Sequence, residues 1–183
     1  MTPIPAYAGI VVSDLDASAA WYSETLGCRL SDEGARWTSL AFADGSIIEL
    51  FEGDRRRPGS TFPSYGADPG PAVLPGYAVE DPGEAAAGLT VARRLPDWLV
   101  VIAPDGLRVV LAARESDGAS GLVGFDYCSE DPAALESFLT DLGVPASVDK
   151  GQAEVVIRVR GPEGAQLGDP DGTRVVVVAS PGT

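Results

Sequence analysis

The side chains able to do chemistry are few, and one type is missing. Histidine is absent from all 183 residues. That removes the Ser-His and Cys-His nucleophile pairs and any metal centre made from two histidines and a carboxylate. The two cysteines, Cys28 and Cys128, are too few for a disulfide framework and read as free thiols. Cys128, in "DYCSED", precedes a predicted helix start, where a thiol is acidified. An all-oxygen site for magnesium or manganese would need converging carboxylates. The Gly-rich stretch 161–172, "GPEGAQLGDPDG", lacks the lysine and the following helix of a phosphate loop. No metal and no cofactor is therefore expected.

Charge narrows the partners. The chain carries 27 acidic and 13 basic residues, a net charge of −14. Lys150 is its one lysine, and its longest basic run is Arg55–Arg57. Nucleic-acid binding runs on Lys and Arg neutralising phosphates, so neither nucleic acid nor an anionic membrane is an expected partner. No apolar run approaches the ~20 residues that span a bilayer. The start, "MTPIPAYAGIVV", lacks the basic region and cleavage site of a signal peptide, and a cytoplasmic location is the expectation. Hydrophobic residues make up 45% of the chain, enough to bury a core.

The elements that must position any site are written in repeats. "PDGLRVV" at 104–110 returns as "PDGTRVV" at 170–176, with a looser copy, "ADGSIIELF", at 43–51. Each is turn chemistry followed by a β-branched, apolar strand. Upstream of each lies a strand, an acidic cap and a helical stretch. In "VVSDLDASAAWYSETLG" (11–27), Asp14 or Asp16 suits the N-cap, Leu15, Ala19, Tyr22 and Leu26 share a face, and Gly27 stops the helix. "CSEDPAALESFLTDLG" (128–143) repeats the plan with Leu135, Phe138, Leu139 and Leu142. "AVEDPGEAAAGLTV" (78–91) is a shorter version of about two turns. Three units follow, roughly 6–52, 74–114 and 121–180, each a strand, a helix and two or three further strands. Strands are predicted near 7–13, 28–33, 37–42, 46–51, 75–79, 89–94, 98–103, 107–113, 122–128, 154–160 and 173–179, with a poorly defined one near 146–149. Residues 53–74 form a Pro- and Gly-rich linker holding Phe62 and Tyr65, which could act as a lid. Residues 114–121 form a polar hinge.

A βαβββ unit in tandem resembles the vicinal oxygen chelate superfamily, which includes glyoxalase I, bleomycin- and fosfomycin-resistance proteins and extradiol dioxygenases. "IVVSDLDASAAWYSETLG" with "DGSIIELFE" carries the likeness best, then "SEDPAALESFLTDLG" with "DPDGTRVVVVA". The resemblance implies an α+β fold of tandem βαβββ modules forming a curved mixed sheet, an open cup. Three modules are recognisable: a pair within 1–114 that includes the linker, and a third in 115–183. The third would complete a second cup or pair with its copy in a homodimer.

The resemblance also points to site positions. Superfamily enzymes place a histidine on the first strand, about seven residues before the Asp that opens the helix, and a glutamate on the last strand. Here those positions hold Tyr7 and Glu49 in the first unit. They hold Leu74 and Val110 in the second, and Gly124 and Val176 in the third. Strand alternation puts Tyr7, Gly9 and Val11 on one face, and Ile47, Glu49 and Phe51 on one face. Trp37 and Trp98 occupy related positions in the first two units. The expected site thus has Glu49 and Tyr7 as reactive groups, with Trp37, Phe51, Trp98, Val110, Asp126 and Val176 against a ligand. Aromatic walls with few polar handles suit a small, flat, largely apolar molecule. Two functions are expected from this: metal-free sequestration in the manner of the bleomycin-resistance branch, or a metal-independent isomerase, cyclase or lyase on an aromatic or polyketide-like intermediate, with Glu49 as general base.

Overall fold

A computed structural model describes residues 3–53, 73–96, 98–103, 108–113, 121–144, 146–161 and 163–179. The linker stretch 54–72 with Phe62 and Tyr65, the turn at 104–107 and the hinge 114–120 lie outside the described residues.

The first unit runs β1 (Ile4–Val12), α1 (Leu15–Leu26), β2 (Arg29–Gly34), β3 (Trp37–Ala41) and β4 (Ile47–Glu52). The second runs β5 (Val73–Val79), α2 (Pro82–Ala85), β6 (Thr90–Arg94), β7 (Trp98–Ile102) and β8 (Arg108–Ala113). Then come β9 (Leu122–Ser129), α3 (Pro132–Asp141), β10 (Val148–Lys150), β11 (Glu154–Gly161), β12 (Ala165–Gly168) and β13 (Arg174–Ala179). Every predicted strand is present within a few residues, and β12 was not foreseen.

Each of the three helices among the described residues begins at an aspartate. Asp14, Asp81 and Asp131 each accept a backbone N–H of the first turn, a cap worth about 1 kcal/mol. The second helix is a single turn, shorter than predicted. Pro82 and Gly83 open it, and three residues past its end the chain turns at Gly88.

The described strands form two mixed sheets, neither closed into a barrel. The eight-stranded sheet has the order β2-β3-β4-β1-β5-β8-β7-β6. Within each half the first strand runs parallel to the last, β1 with β4 and β5 with β8, and the halves join through antiparallel β1 and β5. The five-stranded sheet has the order β10-β9-β11-β13-β12. Its pairings repeat that scheme with fewer strands: β9 parallel to β10, β9 antiparallel to β11, β11 parallel to β13. The stretch after the hinge therefore repeats the central pairings of the larger sheet within one chain, with its described helix inside the first half, between β9 and β10.

One core joins the two sheets. Ala8, Ile10, Ile48 and Leu50 of the first meet Leu122, Phe125, Ile157 and the α3 residues Leu135, Phe138 and Leu139 of the second. Tyr77 and Tyr127 share a buried hydroxyl–hydroxyl hydrogen bond across the junction. Gly121 passes so close to the first sheet that a Cβ there would lie 2.5 Å from Ser46 Oγ and 2.7 Å from Phe42 Cβ. The repeated turn phrase seals the other end. Ser13 donates its N–H and hydroxyl to Asp171 at 2.8 and 2.6 Å, and Tyr22 donates to Asp169 Oδ2 at 3.0 Å. The second Asp169 oxygen accepts the Asp171 and Thr173 N–H groups.

Candidate functional site

Period-two alternation sorts the eight-stranded sheet into two faces. Ala8, Ile10, Val12, Ile48, Leu50, Val109 and Leu111 face the shared core. Tyr7, Val11, Phe51, Leu74, Val100 and Val110 form a separate buried cluster on the opposite face, with Trp37, Ile47, Leu95 and Trp98 packed around it. That second face is the cup. Register lays it out in rows across the strands: Trp37, Phe51, Val11; then Ser39, Glu49, Gly9, Leu74; then Ile47, Tyr7, Gly76, Val110, Val100.

The centre of the cup is a tyrosine–glutamate pair. Tyr7 Oη donates to Glu49 Oε2 at 2.6 Å. Trp98 from the second half stands edge-on to the Tyr7 ring, with centroids 5.3 Å apart. Gly76 makes room for that ring: a Cβ there would lie 2.7 Å from Tyr7 Cβ and 3.1 Å from Val110 Cβ. Burial pushes the Glu49 carboxyl above its ordinary range, the Tyr7 hydrogen bond pulls it part of the way back, and the charge of Asp32 adds to the rise. A half-buried carboxyl of this kind can accept a hydrogen bond or exchange a proton in a water-poor setting.

Tyr7, Glu49, Trp37, Phe51, Trp98 and Val110 thus share one face. Asp126 and Val176 lie on the five-stranded sheet at related positions, Asp126 bound to Arg158 at 3.0 Å. Sequence reasoning placed Val11 on the face of Tyr7 without adding it to the site, and it passed over Val100, which completes the floor with Val11, and Arg108, two residues before Val110 on the same face. The same alternation that selected Val110 selects Arg108. Asp32 was hidden for a different reason: the register shifts between Leu30 and Asp32, so counting along β2 gives the wrong face.

The donor set does not fit a divalent metal. Strand pairing makes Leu74 the counterpart of Tyr7, and Val110 the counterpart of Glu49. One carboxylate, one phenol and two hydrocarbon side chains occupy the positions that hold ligands in superfamily enzymes. Three protein ligands are the usual minimum. Among the described residues no group of three Cys, Asp or Glu is placed to hold an ion.

The sequence profile of the Glyoxalase/Bleomycin resistance protein/Dioxygenase superfamily matches residues 4–96, just over half of the chain. The chain belongs to that superfamily. The matched span takes in β1 to β6 and therefore both Tyr7 and Glu49. The likeness in fold reaches further than the profile. Homoprotocatechuate 2,3-dioxygenase from Arthrobacter globiformis superposes with a TM-score of 0.68 at 17% identity, over 98% of this chain and 80% of that one. The enzyme from Brevibacterium fuscum, in complex with 3,4-dihydroxyphenylacetate, gives 0.67 at 16% identity, over 96% of this chain and 80% of that one. At such identities the superfamily likeness is one of fold, and it embraces both sheets. No curated protein sequence matches the chain significantly.

Proposed function

We propose that the cup binds a small, flat, largely apolar or aromatic molecule without a metal, sequestering it as drug-binding members of the bleomycin-resistance branch do. One observation carries this reading: the four superfamily ligand positions converge as Tyr7, Glu49, Leu74 and Val110, a surface with one carboxylate and no second strong donor. Trp37, Phe51 and Trp98 supply ring faces and edges to a flat guest. The Brevibacterium fuscum neighbour holds a flat aromatic acid, 3,4-dihydroxyphenylacetate, which is consistent with a guest of this shape. The protein would act in the cytoplasm. It would act as a homodimer, since β2 and β6 end the larger sheet and β2 is exposed along its whole length.

The Tyr7–Glu49 pair supports a second reading, a metal-independent isomerase, cyclase or lyase. Glu49 would take a proton from an acidified C–H of the substrate through Oε1, while Tyr7 holds Oε2 and sets the carboxylate plane. The same carboxyl would return the proton at a second carbon or to a departing group. Paired variants separate the readings. For a binding protein, Trp37→Ala or Phe51→Ala weakens affinity by about 1–3 kcal/mol and Glu49→Gln does little. For an enzyme, Glu49→Gln lowers turnover ~10²–10⁴-fold with a modest change in affinity.

A further inference from the structure

The smaller sheet repeats the geometry of the cup with the centre removed. Gly124 stands seven residues before the capping Asp131, as Tyr7 stands before Asp14. Gly124 faces Arg158 across the β9–β11 ladder as Tyr7 faces Gly76, and Arg158 faces Val176 as Gly76 faces Val110. Asp126 takes the place of Gly9. The parallel β9–β10 register, carried back one residue from Tyr127 and Val148, sets Ser147 at the place of Glu49. The large pair Tyr7 and Glu49 is thus replaced by Gly124 and Ser147, and the two glycines Gly9 and Gly76 are replaced by Asp126 and Arg158.

A cavity of about 310 Å³ opens at that spot. Gly124, Asp126, Ser147 and Arg158 line it, with apolar walls from Pro3, Pro5 and Val144. β10 pairs with β9 only along Tyr127–Ser129, whereas β4 pairs with β1 along six residues. The cavity lies where the shorter strand stops. Arg158 donates from Nη1 to Asp126 Oδ1 at 3.0 Å, and both side chains keep substantial exposure, 39% and 48%. An exposed pair of this kind adds little to stability, so its place in the cavity is better explained by what it presents. It sets an N–H donor beside a carboxylate acceptor.

We propose that this cavity is a second small-molecule site, separate from the larger cup and independent of what that cup binds. Its ligand is a small neutral molecule with an N–H beside a C=O, as in a lactam, imide or cyclic ureide. The N–H goes to Asp126, the C=O to Arg158, and the ring to the Pro3, Pro5 and Val144 wall. The volume is at the lower end for ligand sites, which sets a fragment-sized guest of about millimolar affinity.

The test is amide chemical-shift mapping of the whole protein with uracil, and with 1,3-dimethyluracil, which has no N–H. Uracil is expected to shift the amides of residues 123–126 saturably, and the dimethyl compound to leave them unmoved. Gly124→Val refills the hollow, and its Cβ has room, the nearest atom being Arg158 Cδ at 3.9 Å. That variant should lose at least about tenfold in uracil affinity. Arg158→Gln, which keeps the strand and removes the guanidinium, should lose a similar factor. The proposal is overturned if uracil leaves residues 123–126 unshifted, if both compounds act alike, or if the folded variants bind as the parent does.

Discussion

Glu49 divides the two readings of the cup, and its chemistry can be measured before any ligand is known. Its carboxyl titrates above the ordinary range because burial outweighs the Tyr7 hydrogen bond. Tyr7→Phe removes the bond that stabilises the ionised form, so the Glu49 titration, followed by carboxyl carbon NMR, should move higher still; a downward move would contradict the arrangement. Linkage gives a second consequence. The folded carboxyl holds its proton more tightly than the unfolded one, so its contribution is full below the ordinary value of 4.5 and is lost as pH rises through the raised folded value. Denaturant midpoints of the parent should fall across that window relative to Glu49→Gln, and parallel curves would show that Glu49 is not desolvated. Tyr7, Glu49 and their aromatic neighbours were legible in the sequence because alternation and the superfamily resemblance both fix them. Asp32 was not, because a strand irregularity shifts its register without any mark in composition.

At the scale of elements, glycines and aspartates do what the repeats announced. Gly76 lets the Tyr7 ring lie across β5. Gly76→Ala should therefore cost about 1–3 kcal/mol in denaturant unfolding, the usual penalty of overpacking, and a neutral result would mean that Tyr7 can move aside. The repeated "PDG" phrase has a use beyond turning the chain in its last copy. Asp169 is buried and holds Tyr22 of α1 together with two N–H groups of its own turn. Asp169→Ala should destabilise by about 2–4 kcal/mol through the polar groups it orphans. Asp171→Ala, at an exposed contact with Ser13, should cost less. The order of these two effects by urea titration tests whether the turn is a clasp between the sheets. That clasp was invisible in the sequence, since Tyr22 and Asp169 are 147 residues apart and only the packing of the two sheets brings them together.

For the whole molecule, the order of strands and helices was readable from turn residues and hydrophobic period, while the pairing of the last five strands was not. Residues 121–179 read as one module because a single helix punctuates them. Strand partners are set by long-range contacts, and β12, four residues long and largely exposed, carries too little apolar signal to stand out. The odd count of modules left two arrangements for the last one, a second cup or a pairing with its copy in a homodimer. The structure supplies both halves of the second sheet within one chain, so the proposed dimer rests on the exposed edge strand β2 and on Leu30 at its surface, 58% exposed. Replacing Leu30 by Lys should lower the sedimentation coefficient towards the monomer at micromolar concentration, and an unchanged value would remove that edge from the contact. The central claim, a metal-independent small-molecule cup, is tested most directly by native mass spectrometry with elemental analysis on protein purified from its own host. The account predicts an organic adduct that Phe51→Ala releases and no stoichiometric transition metal. One equivalent of iron, manganese, nickel or zinc, or an adduct indifferent to Phe51, would contradict it.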